Sequence, residues 1–126
     1  MFKTVAALAI ALATGLAGAA PPHPFSQPEF DRLAQAGKPV IVDVAAPWCP
    51  TCRAQKPLVE GLSGQSAYRD VTVLTVDFDT AKPVLNEFKV GMQSTLIAFK
   101  AGKEVARSVG DTTAAGIEGL FKKAAP

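Results

Sequence analysis

The stretch Pro39-Val40-Ile41-Val42-Asp43-Val44-Ala45 constrains this chain most, because it is apolar on both of its alternating faces apart from one acid. A half-exposed strand would alternate apolar and polar residues. This one needs cover on both sides, which helices on a largely parallel sheet supply. The flanking segments suit that arrangement. Ser26 and Glu29 form a capping box with Phe25 and Phe30 at the staple positions, so a helix is predicted from Ser26 to about Ala36, closed by Gly37. Cys49 to about Leu62 reads as a helix that Pro57 should bend by removing a donor. Val71 to Val76 reads as a second buried strand, and a short helix follows from about Thr80 to Phe88. Thr95 to Phe99 and Glu104 to Ser108 flank Ala101-Gly102-Lys103 as a hairpin. A last helix from Thr113 to about Ala124 presents Ile117, Leu120 and Phe121 on one face. The order predicts an α/β fold, a four-stranded mixed sheet with helices on both faces, whose first crossover is right-handed and parallel. If the hairpin's first strand pairs antiparallel with the Val40 strand, the segment before Thr95 meets the end carrying Cys49.

At 126 residues, with 48% hydrophobic and 19% charged residues, the chain has room for one globular domain. A formal charge of +2 with no basic run argues against nucleic acid as a partner. The opening residues differ in composition. Lys3, an apolar run from Val5 to Leu16 and small residues Ala17-Gly18-Ala19 have the layout of a secretory signal peptide over residues 1–19, cut before Ala20. The run is shorter than the roughly 20 residues needed to cross a bilayer. Residues 20–25 then form a proline-rich extended leader whose His23, the only histidine, is expected to be a solvent-exposed spacer, and the domain proper occupies 26–126. The product is expected to be exported, to the periplasm or beyond.

Export makes a structural disulfide the default for any cysteine pair. The chain has two cysteines, Cys49 and Cys52, and a bridge between them closes so small a loop that it removes little unfolded-state entropy. Redox chemistry explains the spacing better. Cys49 at or beside a helix N-cap would have its thiolate favoured by free backbone N–H groups and the helix dipole. Cys52, one turn on and more shielded, would resolve the mixed disulfide. Pro50 sits where a missing N–H costs nothing. A structural zinc site needs four ligands, which two cysteines and a leader histidine do not supply, so no metal is assigned.

Residues 40–52, from Val40 to Cys52 with Trp48 before the first cysteine and Asp43 six positions upstream of it, resemble the strand and active-site loop of the thioredoxin family. Pro57, Val76-Asp77, Thr95 to Gly102 and Val109-Gly110 match further blocks in the family's order, although its extra first strand is not evident. The resemblance implies a thioredoxin-like thiol-disulfide oxidoreductase with a redox-active Cys49–Cys52 disulfide and no cofactor. It implies Cys49 as nucleophile, Cys52 as resolving thiol and Asp43 as a buried carboxylate exchanging protons with Cys52. An acid in such a strand should have a raised pKa through desolvation. Val73 stands where some members have a lysine near that acid, which should leave Asp43 still more reluctant to ionise. Trp48, Pro50 and Gln93-Ser94-Thr95 would form the surface on which substrate docks. One departure concerns Ser94, which occupies the position of the family's cis-proline. A cis bond before a non-proline residue costs about 3 kcal/mol, so a trans Gln93–Ser94 peptide is expected. The serine also sets a hydroxyl near the sulfurs, where it could stabilise a thiolate.

The leading expectation is therefore a monomeric, exported reductant of disulfides in other exported proteins, recharged by a membrane-embedded thiol donor. A disulfide oxidase or isomerase of the same fold, a metal-binding or metal-delivery protein using the C-x-x-C, and a redox-dead interaction module stand as alternatives.

Overall fold

In the computed structural model, which describes residues 20–126, the elements run in chain order as β1 (His23–Pro24), α1 (Gln27–Gln35), β2 (Pro39–Ala45), α2 (Pro50–Ser63), a 3-10 turn (Ser66–Tyr68), β3 (Thr72–Asp77), α3 (Lys82–Glu87), β4 (Thr95–Lys100), β5 (Lys103–Val109) and α4 (Ala114–Ala124). The signal peptide expected over 1–19 lies outside the described residues. The sheet has the order β1-β3-β2-β4-β5. β2 pairs parallel with β3 and antiparallel with β4, and β4 pairs antiparallel with β5, as the hairpin pattern requires.

The expected four strands become five. His23–Pro24 pairs parallel with β3 at Leu74 and Thr75, and the Phe25 N–H continues the ladder to the Thr75 carbonyl at 2.9 Å. His23 is accordingly not a free spacer. Its Nδ1 lies 2.9 Å from the Pro21 carbonyl and its Nε2 2.8 Å from a Glu29 carboxylate oxygen, which ties the leader to α1. The Glu29 side chain is thereby drawn away from the reciprocal half of the capping box. Only the forward half forms, the Glu29 N–H donating to Ser26 Oγ at 3.2 Å.

The two sides of the sheet hold separate cores, and strand alternation sorts the residues between them. Ile41, Val73, Leu96 and Ala98 face Val59 and Leu62 of α2 and Ile117, Leu120 and Phe121 of α4. Val40, Val42, Val44, Leu74, Val76, Ile97 and Phe99 face Phe30 and Leu33 of α1 and Leu85 of α3. Burial on both faces is why β2, β3 and β4 read as unbroken apolar runs. On the first face Phe121 stacks edge-on with Tyr68 at 5.5 Å, and on the second Phe30 meets Phe99 edge-on at 5.1 Å. At the outer edge, Arg107 of β5 donates to the carbonyls of Phe88 and Lys89 just beyond α3 and to Glu104.

Candidate active site

β2 ends at Ala45, and the loop Ala46-Pro47-Trp48 delivers Cys49 to the first turn of α2. Cys49 is the N-cap of that helix, with φ −86° and ψ 112°, and its Sγ accepts the Cys52 N–H at 3.1 Å. Pro50 takes the first helical position and the helix continues through Pro57 to Ser63. Cys49 and Cys52 are joined as a disulfide with a Cα separation of 5.3 Å.

Shielding of the two sulfurs runs opposite to expectation, for Cys49 is 1% exposed and Cys52 7%. The segment in front of β4 covers both sulfurs, and Cys52 keeps its slight exposure by lining a cavity that Cys49 does not line. Ser94 Oγ stands 3.1 Å from Cys49 Sγ and 3.0 Å from Cys52 Sγ. Disulfide sulfurs carry no hydrogen, so the hydroxyl is the donor and its single proton is shared between them. Ser94 is itself buried, with its backbone in the left-handed region at φ 62°. The Gln93–Ser94 peptide is trans, as no cis bond occurs among the described residues. Three backbone-directed hydrogen bonds hold Ser94 in place. Its N–H donates to the Val44 carbonyl at 2.8 Å, and its carbonyl accepts from the Gly110 N–H at 3.0 Å and from Gln55 Nε2 at 3.2 Å.

Trp48 is 54% exposed, and its indole N–H donates to Asp79 Oδ2 at 2.9 Å, which orients the ring from the loop after β3. Phe78 from that loop packs against Ala46 and the two cysteines. Pro50 is exposed, Gln93 half-buried and Thr95 buried, its hydroxyl donating to the Met92 carbonyl at 2.7 Å. Met92 at 54% and Val109 at 56% are, like Trp48, large apolar side chains left open to solvent. They lie close in chain to Ser94, Gly110 and Cys49 respectively.

Asp43 occupies the register position between Thr75 and Leu96, on the sheet face covered by α2. Burial raises its pKa from 3.8 to about 6, with no other cause contributing. Val73, at the lysine position of some thioredoxins, is fully buried in the core. Asp43 and Cys52 line one cavity of about 550 Å³, together with Pro22, Arg53, Lys56 and Thr75. Asp43 thus shares solvent space with Cys52, while Ser94 touches both sulfurs. Among the described residues, no group of three or more His, Cys, Asp or Glu side chains is placed to hold a metal.

Sequence reasoning passed over Gln55, Phe78, Asp79 and Asp111. Gln55 carried a usable signal: it lies three residues after Cys52 and so on the same helix face, where a long polar side chain in an apolar stripe asks for partners.

The arrangement supports dithiol chemistry, with one sulfur at a helix N-cap, the second one turn on, and an acid with a raised pKa lining the same cavity as the second. Comparison with known proteins agrees. The family model described as Thioredoxin matches residues 22–123. The chain is 33% identical over 95 residues to a thioredoxin of Coprinus comatus, covering 75% of this chain and 89% of that protein. It is 44% identical over 71 residues to a thioredoxin of Chlamydia muridarum, covering 56% of this chain and 68% of that one. Among solved structures, Trxlp from Edwardsiella tarda EIB202 superimposes with a TM-score of 0.76 at 41% identity, covering 79% of this chain and 96% of that chain.

Proposed function

The chain belongs to the thioredoxin family and is a thiol-disulfide oxidoreductase, and from that premise we propose that it acts outside the cytosol as a reductant of disulfides in other exported proteins. The signal-peptide layout of residues 1–19 supports export. The observation that carries the chemistry is the Cys49 sulfur at the N-cap, accepting the Cys52 N–H, because that donor and the helix dipole favour a thiolate at this atom over its neighbour.

In the reduced protein the Cys49 thiolate attacks one sulfur of a client disulfide, forming a mixed disulfide and releasing a client thiolate. Cys52 then gives its proton to Asp43 across the shared cavity and attacks Cys49 Sγ. The Cys49–Cys52 disulfide forms, the second client thiolate leaves, and two electrons have passed to the client. A carboxylate whose pKa is about 6 is suited to taking a thiol proton near neutral pH. Trp48, Pro50 and half-buried Gln93 form the client surface, with exposed Met92 and Val109 extending its apolar area, while Ser94 and Thr95, expected on that surface, are buried beneath it. Because Ser94 lies against Cys49, a client sulfur reaches that atom only as the segment before β4 yields. A membrane-embedded thiol donor completes the cycle by re-reducing the disulfide.

The test is insulin reduction in the presence of a small dithiol. Cys49→Ser should abolish the catalysed rate, and Cys52→Ser should instead trap mixed disulfides; equal rates for wild type and Cys49→Ser would remove the proposal. Equilibration with glutathione sets the direction, a strongly oxidising potential ruling out the reductant. Amino-terminal sequencing of protein from a fractionated exporting cell should find Ala20 first, outside the cytosol.

A further inference from the structure

We propose that Gln55 is a positioning residue for the redox centre, holding Ser94 so that its hydroxyl donates to the Cys49 thiolate. This rests on the dithiol reading above and adds a group three residues beyond Cys52 that is neither a cysteine nor an acid.

Gln55 is 1% exposed and projects from α2 on the face that bears Cys52. Both donor hydrogens of its amide are committed. Nε2 donates to the Ser94 carbonyl at 3.2 Å and to the Asp111 carbonyl at 2.9 Å. Oε1 meets no donor among the described residues. The reverse orientation of the amide would set an oxygen against two carbonyl oxygens, so the orientation is determined by its partners. A buried glutamine in this state is worth more as a pair of donors than as packing volume.

What it holds is a backbone that does not hold itself. Ser94 sits at φ 62°, a region that disfavours residues with a Cβ. The Val44 and Gly110 bonds fix Ser94 to β2 and to the segment after β5. Apart from the contacts of the Ser94 hydroxyl with the two sulfurs, Gln55 is the hydrogen-bonded link from Ser94 to α2 among the described residues, and the one that acts on the Ser94 backbone. The relative position of Ser94 Oγ and Cys49 Sγ therefore depends on the Gln55 amide. In the oxidised protein the hydroxyl proton is shared between two weak acceptors. After reduction a Cys49 thiolate is the stronger acceptor and takes it, alongside the Cys52 N–H. A hydrogen bond to the charged form lowers the thiol pKa and stabilises the reduced state, shifting the potential in the oxidising direction.

The experiment is a double-mutant cycle read on the Cys49 thiol pKa, taken from the pH dependence of iodoacetamide alkylation of the reduced protein. Ser94→Ala should raise that pKa by about one unit, a tenfold loss of thiolate at neutral pH. Gln55→Met, similar in volume and lacking both donors, should raise it enough to cut the thiolate fraction at neutral pH at least threefold when Ser94 is present, and not at all when residue 94 is alanine. If Gln55→Met fails to fold, Gln55→Asn, one methylene too short to span both carbonyls, takes its place in the same cycle. The glutathione potential should become more reducing in each single variant. A Gln55 variant with unchanged Cys49 pKa, or with the same change in both backgrounds, overturns the positioning role. Insulin reduction by Cys49→Ser, run in parallel, separates the two failures: if that variant stays inactive the dithiol reading stands without Gln55, and if it stays active both fall.

Discussion

Asp43 is the residue on which stability and chemistry pull in opposite directions. Its pKa is raised by burial from 3.8 to about 6, so the folded chain retains a proton that the unfolded chain has released. Stability on its account is whole below about pH 4 and is lost as pH climbs through 6, by up to about 3 kcal/mol. Asp43→Asn removes that loss. The variant should be more stable than wild type by about 1 to 3 kcal/mol at pH 8 in urea denaturation, converge with it at pH 4, and turn over more slowly. Equal stability of the two proteins at pH 8 would show that the carboxylate is better solvated than its position between Thr75 and Leu96 implies. The acid was legible as a lone polar residue in a strand buried on both faces. For Gln55 the helix face was legible, three residues on from Cys52, but its two acceptors were not, because they come from residues 39 and 56 positions away.

Among the elements, β1 and the start of α4 are the most informative. β1 escaped sequence reading because His23-Pro24 has no apolar alternation. It exists by register against Leu74 and Thr75 and by the reach of His23 to Pro21 and Glu29. The Pro21 carbonyl bond first, and then Glu29, raise the His23 pKa above 6.5 against an opposing effect of burial. The stabilisation is therefore complete below pH 6.5 and lost as pH rises through the raised value. His23→Ala should cost no more than about 1 kcal/mol, and only on the acid side. Hydrogen exchange of the Phe25 amide reads it directly: protection should fall with rising pH in wild type and be low throughout in the variant, and a pH-independent, unaltered protection would refute the tether.

The first turn of α4 carries Gly116, where a Cβ would come within 2.8 Å of Thr113 Oγ1 and of the Asp111 carboxyl carbon. Thr113 is the N-cap and Asp111 accepts both its N–H and its hydroxyl. Gly116→Ala should thus destabilise by about 1 to 3 kcal/mol in a urea titration despite the roughly 1 kcal/mol that alanine brings to a helix interior. A gain in midpoint would mean that the cap relaxes freely. The remaining elements were readable because their signals were local: β-branched runs for β2 and β3, turn residues for the hairpin, a proline after a cysteine for α2. β3 and β4 also had to be paired correctly, and there the two-faced burial of β2 supplied the information, since a strand covered on both sides needs neighbours on both edges.

For the molecule as a whole, the redox state and the folding equilibrium are linked. The loop between Cys49 and Cys52 is so small that closing it restricts the unfolded chain only modestly, and the disulfide should add no more than about 2 kcal/mol to stability. Hydrogen bonds from Ser94 and the Cys52 N–H to a thiolate act against that difference, because they stabilise the reduced fold. A protein working as a reductant must keep the balance on the oxidised side. The oxidised form should therefore have the higher urea midpoint at pH 7, and a reduced form more stable than the oxidised one would instead mark an oxidant. The placement of both cysteines, Ser94 and Asp43 near one end of the sheet follows from topology, since β2 runs out beside β3 there and the antiparallel β4 begins there.

Arg107 gives the far edge of the sheet a say in this. By gripping the carbonyls of Phe88 and Lys89, it anchors the rear end of the same stretch of chain whose front end, Ser94, rests on the sulfurs. Four residues, 90–93, separate anchor from tip. The chain that covers the disulfide is thus tied down at both ends, by Arg107 behind and by the bonds from Ser94 to Val44, Gly110 and Gln55 in front, so uncovering the sulfurs means breaking the front set while the rear one holds.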